Sequence, residues 1–141
     1  MELKLPFPPE SAYAPQLAAT VVATAKRVSN VDLDYSITSL RDVDDIIEGF
    51  RKDGVRGEQV GATLFCFGCY VGEVFVKNAG ASWQETINTP MKDFAGFPLV
   101  LKLQNGSICN PIGKVFKRLE NGSVDSLPYF YTVFSASELK K

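Results

Sequence analysis

The chain has 141 residues, of which 45% are hydrophobic and 22% are charged, and its formal net charge is -1. This length and composition are typical of one soluble globular domain, so we predict a single domain over residues 1–141. The balanced charge gives no basic field that would attract a phosphate backbone, and we expect no nucleic-acid partner.

Histidine is absent from the chain, and cysteine occurs three times. The absence of histidine excludes Ser-His-Asp triads, histidine general bases and histidine-ligated zinc. Three cysteines are too few for a disulfide framework, and the N-terminal residues lack the apolar run of a signal peptide. We therefore predict a cytoplasmic location.

The N-terminal part predicts a proline-rich extended segment over residues 1–14 and then an amphipathic helix. Pro15 suits the first turn of this helix, and Asn30 suits its end. Four apolar residues recur at helical spacing between them: Leu17, Val21, Ala25 and Val28.

A second amphipathic helix is predicted to begin at Ser39, which with Asp42 resembles a capping box. Gly54 is suited to a left-handed position just after its end. The apolar stripe of this helix consists of Leu40, Val43, Ile47 and Phe50.

From Val60 to Val76 the only charged residue is Glu73. A strand pair, a membrane span and a buried helix all have such apolar segments, but a span needs roughly 20 apolar residues. We predict a buried central helix and no membrane partner. Its glycines, Gly61, Gly68 and Gly72, would lie on one face and allow a neighbouring backbone to approach closely.

Strands are predicted at Trp83–Ile87 and at Leu99–Leu103, and the second leads through Asn105-Gly106 into Ser107-Ile108-Cys109. Both residues of an Asn-Gly pair tolerate positive φ, so this pair predicts a hairpin with a type I′ turn. A small antiparallel sheet is therefore expected.

Asn110 and Pro111 are a suitable N-cap and first helical residue, which predicts a helix that ends at Asn121-Gly122. The segment from Tyr129 to Phe134 fits either a helix or a strand, with a slight preference for a helix. The predicted fold class is α+β, with N-terminal helices, a buried central helix, a small antiparallel hairpin sheet and C-terminal helices.

Four residues are candidates for binding a partner or ligand: Glu73, Trp83, Lys114 and Arg118. Glu73 is either buried or paired with Lys77, four residues further along the helix. Trp83 is the only tryptophan and follows a loop, and tryptophan is enriched at interfaces. Lys114 and Arg118 form a basic side that suits an acidic partner or a phosphorylated molecule, although cations near a helix C-terminus also stabilise the helix itself.

Cys66 and Cys69 form a C-x-x-C, whose redox function requires a helix N-terminus after a strand. This pair lies inside the predicted central helix, where we expect small buried packing residues. Cys109 is the only further thiol, too few for a four-cysteine zinc site, and the phosphate-loop and dinucleotide-binding motifs are absent. We predict no catalytic residue, no metal and no cofactor.

Three stretches of the chain resemble small bacterial proteins of unknown function. They are Leu33-Asp34-Tyr35-Ser36 with Ser39-Leu40 and Asp44, then Gly68 through Tyr70 to Gly72-Glu73-Val74 and Trp83, and finally Asn105-Gly106 through Asn110-Pro111, Lys114-Val115, Arg118, Asn121-Gly122 and Asp125-Ser126. The resemblance implies no established reaction. Within such families, cytosolic immunity proteins that neutralise a cognate toxin are a recurring role.

The leading hypothesis is a non-enzymatic protein-interaction protein, such as a cytosolic bacterial immunity or adaptor protein. Its partner would then be another protein, for example a cognate toxin. The alternative is a small-molecule-binding module with a pocket between the central helix and the sheet. A weaker alternative is a thiol or redox protein that uses Cys66 and Cys69, and the oligomeric state stays open.

Overall fold

The computed structural model describes residues 4–139, with side chains up to residue 135. In this part of the chain, five α-helices accompany one three-stranded antiparallel sheet, which confirms the predicted α+β class. The helices are α1 (Ala14–Ser29), α2 (Ser39–Lys52), α3 (Gly61–Ala79), α4 (Pro111–Asn121) and α5 (Leu127–Leu139). The strands are β1 (Ser82–Glu85), β2 (Leu99–Lys102) and β3 (Ile108–Cys109), and 3₁₀ helices lie at Ser11–Tyr13, Thr86–Asn88 and Gly122–Asp125.

The buried central helix is α3, in which every residue from 64 to 75 is buried. It packs mainly against α1 and α4. A side-chain carbon at Gly68 would lie 2.5 Å from the Cα of Ile112 in α4, and one at Gly72 would overlap the indole ring of Trp83. The predicted close approach of a neighbouring backbone is therefore confirmed at Gly68, whereas the neighbour of Gly72 is a side chain. Neither α3 nor any other helix of residues 4–139 is long and apolar enough to cross a membrane.

The N-terminal segment and α1 differ from the prediction in two details. Residues 1–3 of the predicted extended segment lie outside the described residues, and the segment is shorter than predicted because Ser11–Tyr13 is a 3₁₀ helix that leads into α1. α1 ends at Ser29, and its C-cap, Asn30, has a left-handed φ of 53°. Val28, in the last turn of α1, is 71% exposed, so its predicted place on the buried stripe is wrong, and Val31, after the turn at Asn30, packs against the core instead.

The capping box predicted at Ser39 is also wrong. Thr38 is the N-cap of α2 and forms no side-chain capping bond. Ser39 is buried, and its hydroxyl donates to the carbonyl of Ser36 at 2.6 Å and lies 2.7 Å from the hydroxyl of Tyr70 in α3. Gly54, after the end of α2, has the expected left-handed φ, 74°.

The sheet has the strand order β1-β2-β3, with Trp83 opposite Leu101 and Leu101 opposite Cys109. β1 ends at Glu85 rather than at the predicted Ile87. The reason is that the chain bends into a 3₁₀ helix at this point.

The β2–β3 hairpin forms, but its turn is not of type I′. Of Asn105 and Gly106, only Gly106 has a positive φ, 90°. The N–H of Gly106 donates to the carbonyl of Leu103 at 2.9 Å, and the N–H of Leu103 donates to the carbonyl of Ser107 at 2.8 Å. This geometry is that of a three-residue loop, which needs positive φ only at its last residue.

The C-terminal helices agree with the prediction. The Asn110 side chain accepts a hydrogen bond from the N–H of Gly113 at 2.9 Å and so caps α4, with Pro111 at the first position. The segment from Tyr129 to Phe134 is helical, within α5. A single cluster of buried residues draws on all five helices and on the sheet.

Candidate functional site

Glu73 and Trp83, two of the predicted site residues, bind each other. The indole Nε1–H of Trp83 donates to Oε2 of Glu73 at 2.8 Å, and Glu73 is only 4% exposed. Lys77 does not pair with this carboxylate, because its Nζ lies 4.9 Å from the centre of the Tyr35 ring. The hydrogen bond and the contact of the indole with Gly72 attach β1 to α3.

Arg118 points into the protein and is 3% exposed. Its Nε and Nη2 donate to the two carboxylate oxygens of Asp44 at 2.9 and 3.2 Å, and its Nη1 donates to Glu48 at 2.8 Å. Oδ1 of Asp44 also accepts the N–H of Leu127 at 3.0 Å. Two-pronged arginine–carboxylate bonds are strong and geometrically specific. The network therefore ties α4 to α2 and to the start of α5.

Lys114 lies on the partly exposed side of α4 and also has an acidic partner. Its Nζ is 2.6 Å from Oδ1 of Asp125 and 5.8 Å from the centre of the Phe130 ring. The hydrogen bond from Lys114 lowers the pKa of the Asp125 carboxyl. Two of the four predicted site residues thus bond to each other and two bond to separate carboxylates. None of the grooves described below is lined by more than one of the four.

The three cysteines are buried and unpaired. Burial raises the pKa of the Cys66 and Cys69 thiols, and it raises the pKa of Cys109 to about 12. Cys66 and Cys69 lie within α3, away from its N-terminus, where the helix dipole would stabilise a thiolate. Among the side chains of residues 4–135, no three Cys, Asp or Glu are grouped so that they could hold a metal ion.

Tyr35 was not singled out as a site residue, and its backbone has an uncommon conformation. Its φ is 64°, which is unfavourable for a bulky side chain. Its N–H donates to the hydroxyl of Tyr70 at 2.8 Å, and its carbonyl accepts from the side chain of Asn78 at 2.9 Å. The two tyrosine rings also stack, with centroids 4.7 Å apart. Contacts with α3 therefore offset the strain, and the turn has a structural role.

Two neighbouring apolar grooves share Phe97 and Phe116, and we call them together the Phe-rich surface. The N-terminal groove has a volume of about 690 Å³ and is lined by Leu5, Pro6, Phe7, Pro8, Pro9, Phe65, Gly96, Phe97, Pro98 and Phe116. The lysine-edged groove has a volume of about 570 Å³ and is lined by Met91, Phe94, Ala95, Phe97, Ile108, Cys109, Asn110, Gly113, Lys114, Phe116, Lys117, Glu120, Phe130 and Phe134.

Phe97 lines both grooves and packs against other aromatic rings. Its centroid lies 4.9 Å from that of Phe116 and 6.4 Å from that of Phe65. Phe94, three residues earlier in the loop before β2, is 79% exposed, and Gly96 turns the chain between the two with a φ of 72°. The sequence signal for this surface is a pair of phenylalanines around a glycine in a segment with no predicted helix or strand. Exposed phenylalanines in a loop do not by themselves predict a groove, because the groove is formed by Phe65 and Phe116 from distant parts of the chain.

Comparisons of the chain with known proteins identify no homologue. No model of a protein family matches the chain, and no characterised protein or solved structure is significantly similar to it. The resemblance to small bacterial proteins therefore gains no support from them.

Proposed function

We propose that this chain is a non-enzymatic protein-interaction protein that binds its partner through the Phe-rich surface. The observation that carries the proposal is the position of Phe94, which is 79% exposed at the edge of a large apolar groove. Burying a phenylalanine side chain fully is worth about 1.5 to 3 kcal/mol. Aromatic side chains beside well-formed pockets are the residues that most often dominate the binding energy of interfaces.

The charges around this surface indicate the chemistry of the partner. Lys117 lines the lysine-edged groove, is exposed, and forms no ion pair with any side chain of residues 4–135. A partner surface that carries apolar side chains and a carboxylate at its edge would complement both features. An immunity protein or adaptor in the cytoplasm would fit this description. The resemblance to small bacterial proteins favours the first, and three unpaired cysteines favour a reducing compartment.

Two variants of equal exposure test the proposal. Phe94 and Val124 are both 79% exposed, but only Phe94 lies on the Phe-rich surface. We expect wild type and Val124→Ser to capture the same stoichiometric partner from cells. We expect Phe94→Ser to bind it about 30-fold more weakly, since hot-spot residues contribute about 2 kcal/mol or more. Equal binding by Phe94→Ser, or no partner for any of the three proteins, would contradict the proposal.

A second candidate function is binding of a neutral apolar small molecule in the N-terminal groove. None of its ten lining residues has a side chain with a charge or a hydrogen-bonding group. Its volume of about 690 Å³ is within the usual range for small-molecule sites. Protein purified under native conditions would then release such a molecule on denaturation, which mass spectrometry detects. Release of no small molecule would count against this candidate and leave the protein-interaction proposal intact.

A further inference from the structure

α2 carries a partly exposed face beside the end of α1, on which Ile46 and Phe50 are only partly buried against the core. Five residues of α2 and its C-cap, Asp53, recur at helical spacing and form this face. The five are Asp42, Asp45, Ile46, Gly49 and Phe50. With the end of α1 they line a groove of about 390 Å³, which we call the α2 face. It shares no residue with the Phe-rich surface.

The α2 face combines an apolar floor with an acidic rim. Ile46 and Phe50 are partly buried and form the floor, while the three aspartates are exposed. None of these aspartates has an ion pair among the side chains described, those of residues 4–135, and no lysine or arginine lines the groove. Asp42 lies in the first turn, where it favours the helix dipole. Asp53 is the C-cap, where a negative charge interacts unfavourably with the helix dipole, so the stability of α2 does not explain this residue.

Gly49 in the middle of this face is unexplained by the fold. Glycine inside a helix is less favourable than alanine, and the φ of Gly49 is not positive. A side-chain carbon added there would meet nothing within 4 Å. By contrast, Gly68 and Gly72 of α3 lie directly against Ile112 and Trp83. Gly49 offers the same close approach, but to a molecule outside the chain.

We infer that the α2 face docks a basic amphipathic segment of a partner protein. An apolar side chain of the segment packs on Ile46 and Phe50 across Gly49, and its lysines or arginines lie opposite the three aspartates. Charge complementarity decides between this occupant and a second copy of the chain, because a symmetric dimer through the α2 face would set aspartates against aspartates. Local sequence choices that disfavour the isolated helix, here Gly49 and Asp53, are expected where function requires them.

An NMR titration tests the inference with a defined probe, a synthetic amphipathic helix of leucine and lysine. We expect amide shifts at residues 42–53 and at Val31, and binding that weakens with salt. The triple variant D42N/D45N/D53N should bind the peptide at least tenfold more weakly, whereas Glu58→Gln, an exposed acid outside the face, should bind as wild type does. Shifts confined to other surfaces, no binding, or unchanged affinity of the triple variant would overturn the inference.

Gly49→Ala separates the role of this glycine from the stability of the fold. We expect its unfolding midpoint to rise, because alanine favours the helix and meets no neighbour. Its affinity for the leucine–lysine peptide should fall several-fold, because the added methyl group holds the peptide away from the floor. Unchanged affinity would overturn the proposed close approach. The α2 face and the Phe-rich surface share no residue, so the result for Gly49→Ala does not change how the Phe94→Ser experiment is interpreted.

Discussion

Position 72 shows how much of this fold depends on a single missing side chain. Gly72 leaves room for the indole ring of Trp83, whose N–H then reaches the buried carboxylate of Glu73 at 2.8 Å. A buried carboxylate without a hydrogen-bond donor is costly, so the indole N–H has a structural role in addition to the packing of the ring. Both candidate site residues are therefore explained by the way β1 is attached to α3.

Gly72→Ala and Gly49→Ala should change stability in opposite directions. The first places a methyl group inside the Trp83 ring and should lower the free energy of unfolding by about 1 to 3 kcal/mol. The second meets nothing and should raise it by about 0.5 to 1 kcal/mol. Urea unfolding followed by circular dichroism measures both values. A Gly72→Ala protein as stable as wild type would show that the indole is not held as described.

At the residue scale, the sequence predicted correctly those features that depend only on the spacing of residues along a helix. Spacings of seven and four residues place the glycines of α3 on one face of an α-helix, so Gly68 and Gly72 could be predicted to admit a neighbour. The direction of Arg118 could not be predicted, because its partner Asp44 is 74 positions away. Likewise, Ser39 fits a local capping pattern, and only the hydroxyl of Tyr70, 31 positions away, explains its actual role.

At the scale of elements, the Arg118 network holds three helices in register. Arg118 belongs to α4, both of its carboxylate partners belong to α2, and Asp44 also accepts the N–H of Leu127 at the start of α5. Removing one partner of a buried ion pair typically costs 3 to 5 kcal/mol. Because these carboxylates are partly exposed to water, we expect a smaller loss for Arg118→Met, roughly 2 to 4 kcal/mol.

The network also predicts how stability changes with pH. The hydrogen bond from Arg118 lowers the pKa of Glu48 in the folded state. The stability that this bond provides is therefore present above the ordinary pKa of a glutamate and is lost as the pH falls through the lowered value. Between about pH 5 and pH 3, the free energy of unfolding of Glu48→Gln should fall less steeply than that of wild type. Glu58→Gln is the matched control, and a wild-type slope in Glu48→Gln would refute the explanation.

Element boundaries were predictable where a cap has its partner nearby. The Asn110-Pro111 pair starts α4 as expected, because the capped N–H belongs to Gly113, three residues later. The hairpin loop was predicted at the right place but with the wrong turn, since Asn-Gly fits both a two-residue and a three-residue loop. The sequence does not decide between them, because the register of β2 and β3 depends on which faces the core covers.

At the scale of the whole molecule, the three cysteines belong to one buried core. Burial raises the pKa of all three thiols, and for Cys109 it does so to about 12. Because the folded state disfavours the thiolate, stability should decrease as the pH rises above the ordinary thiol value of about 8.5. This arrangement fits packing better than redox chemistry.

Thiol labelling checks this description. With a chromogenic disulfide reagent at neutral pH, the native protein should react only as fast as it unfolds. All three thiols should react promptly once urea has unfolded the chain. Rapid labelling of Cys66 and Cys69 in the native protein would instead favour the thiol or redox hypothesis.

Among residues 4–135, four large apolar side chains on different elements are more than 70% exposed. They are Val28 (71%), Ile87 (74%), Phe94 (79%) and Val124 (79%). Only Phe94 borders one of the two grooves of the Phe-rich surface. Exposure alone is common for single apolar residues, so the adjoining groove is what marks Phe94 as an interface residue.

Photo-crosslinking in living cells tests that distinction most directly. A photoreactive amino acid is placed, one protein at a time, at positions 28, 87, 94 and 124. If the Phe-rich surface is the interface, position 94 will give one discrete protein adduct of constant mass, and the other three positions will not give that adduct. If position 94 gives no adduct, or all four positions give the same pattern, the Phe-rich surface is not where this protein binds its partner.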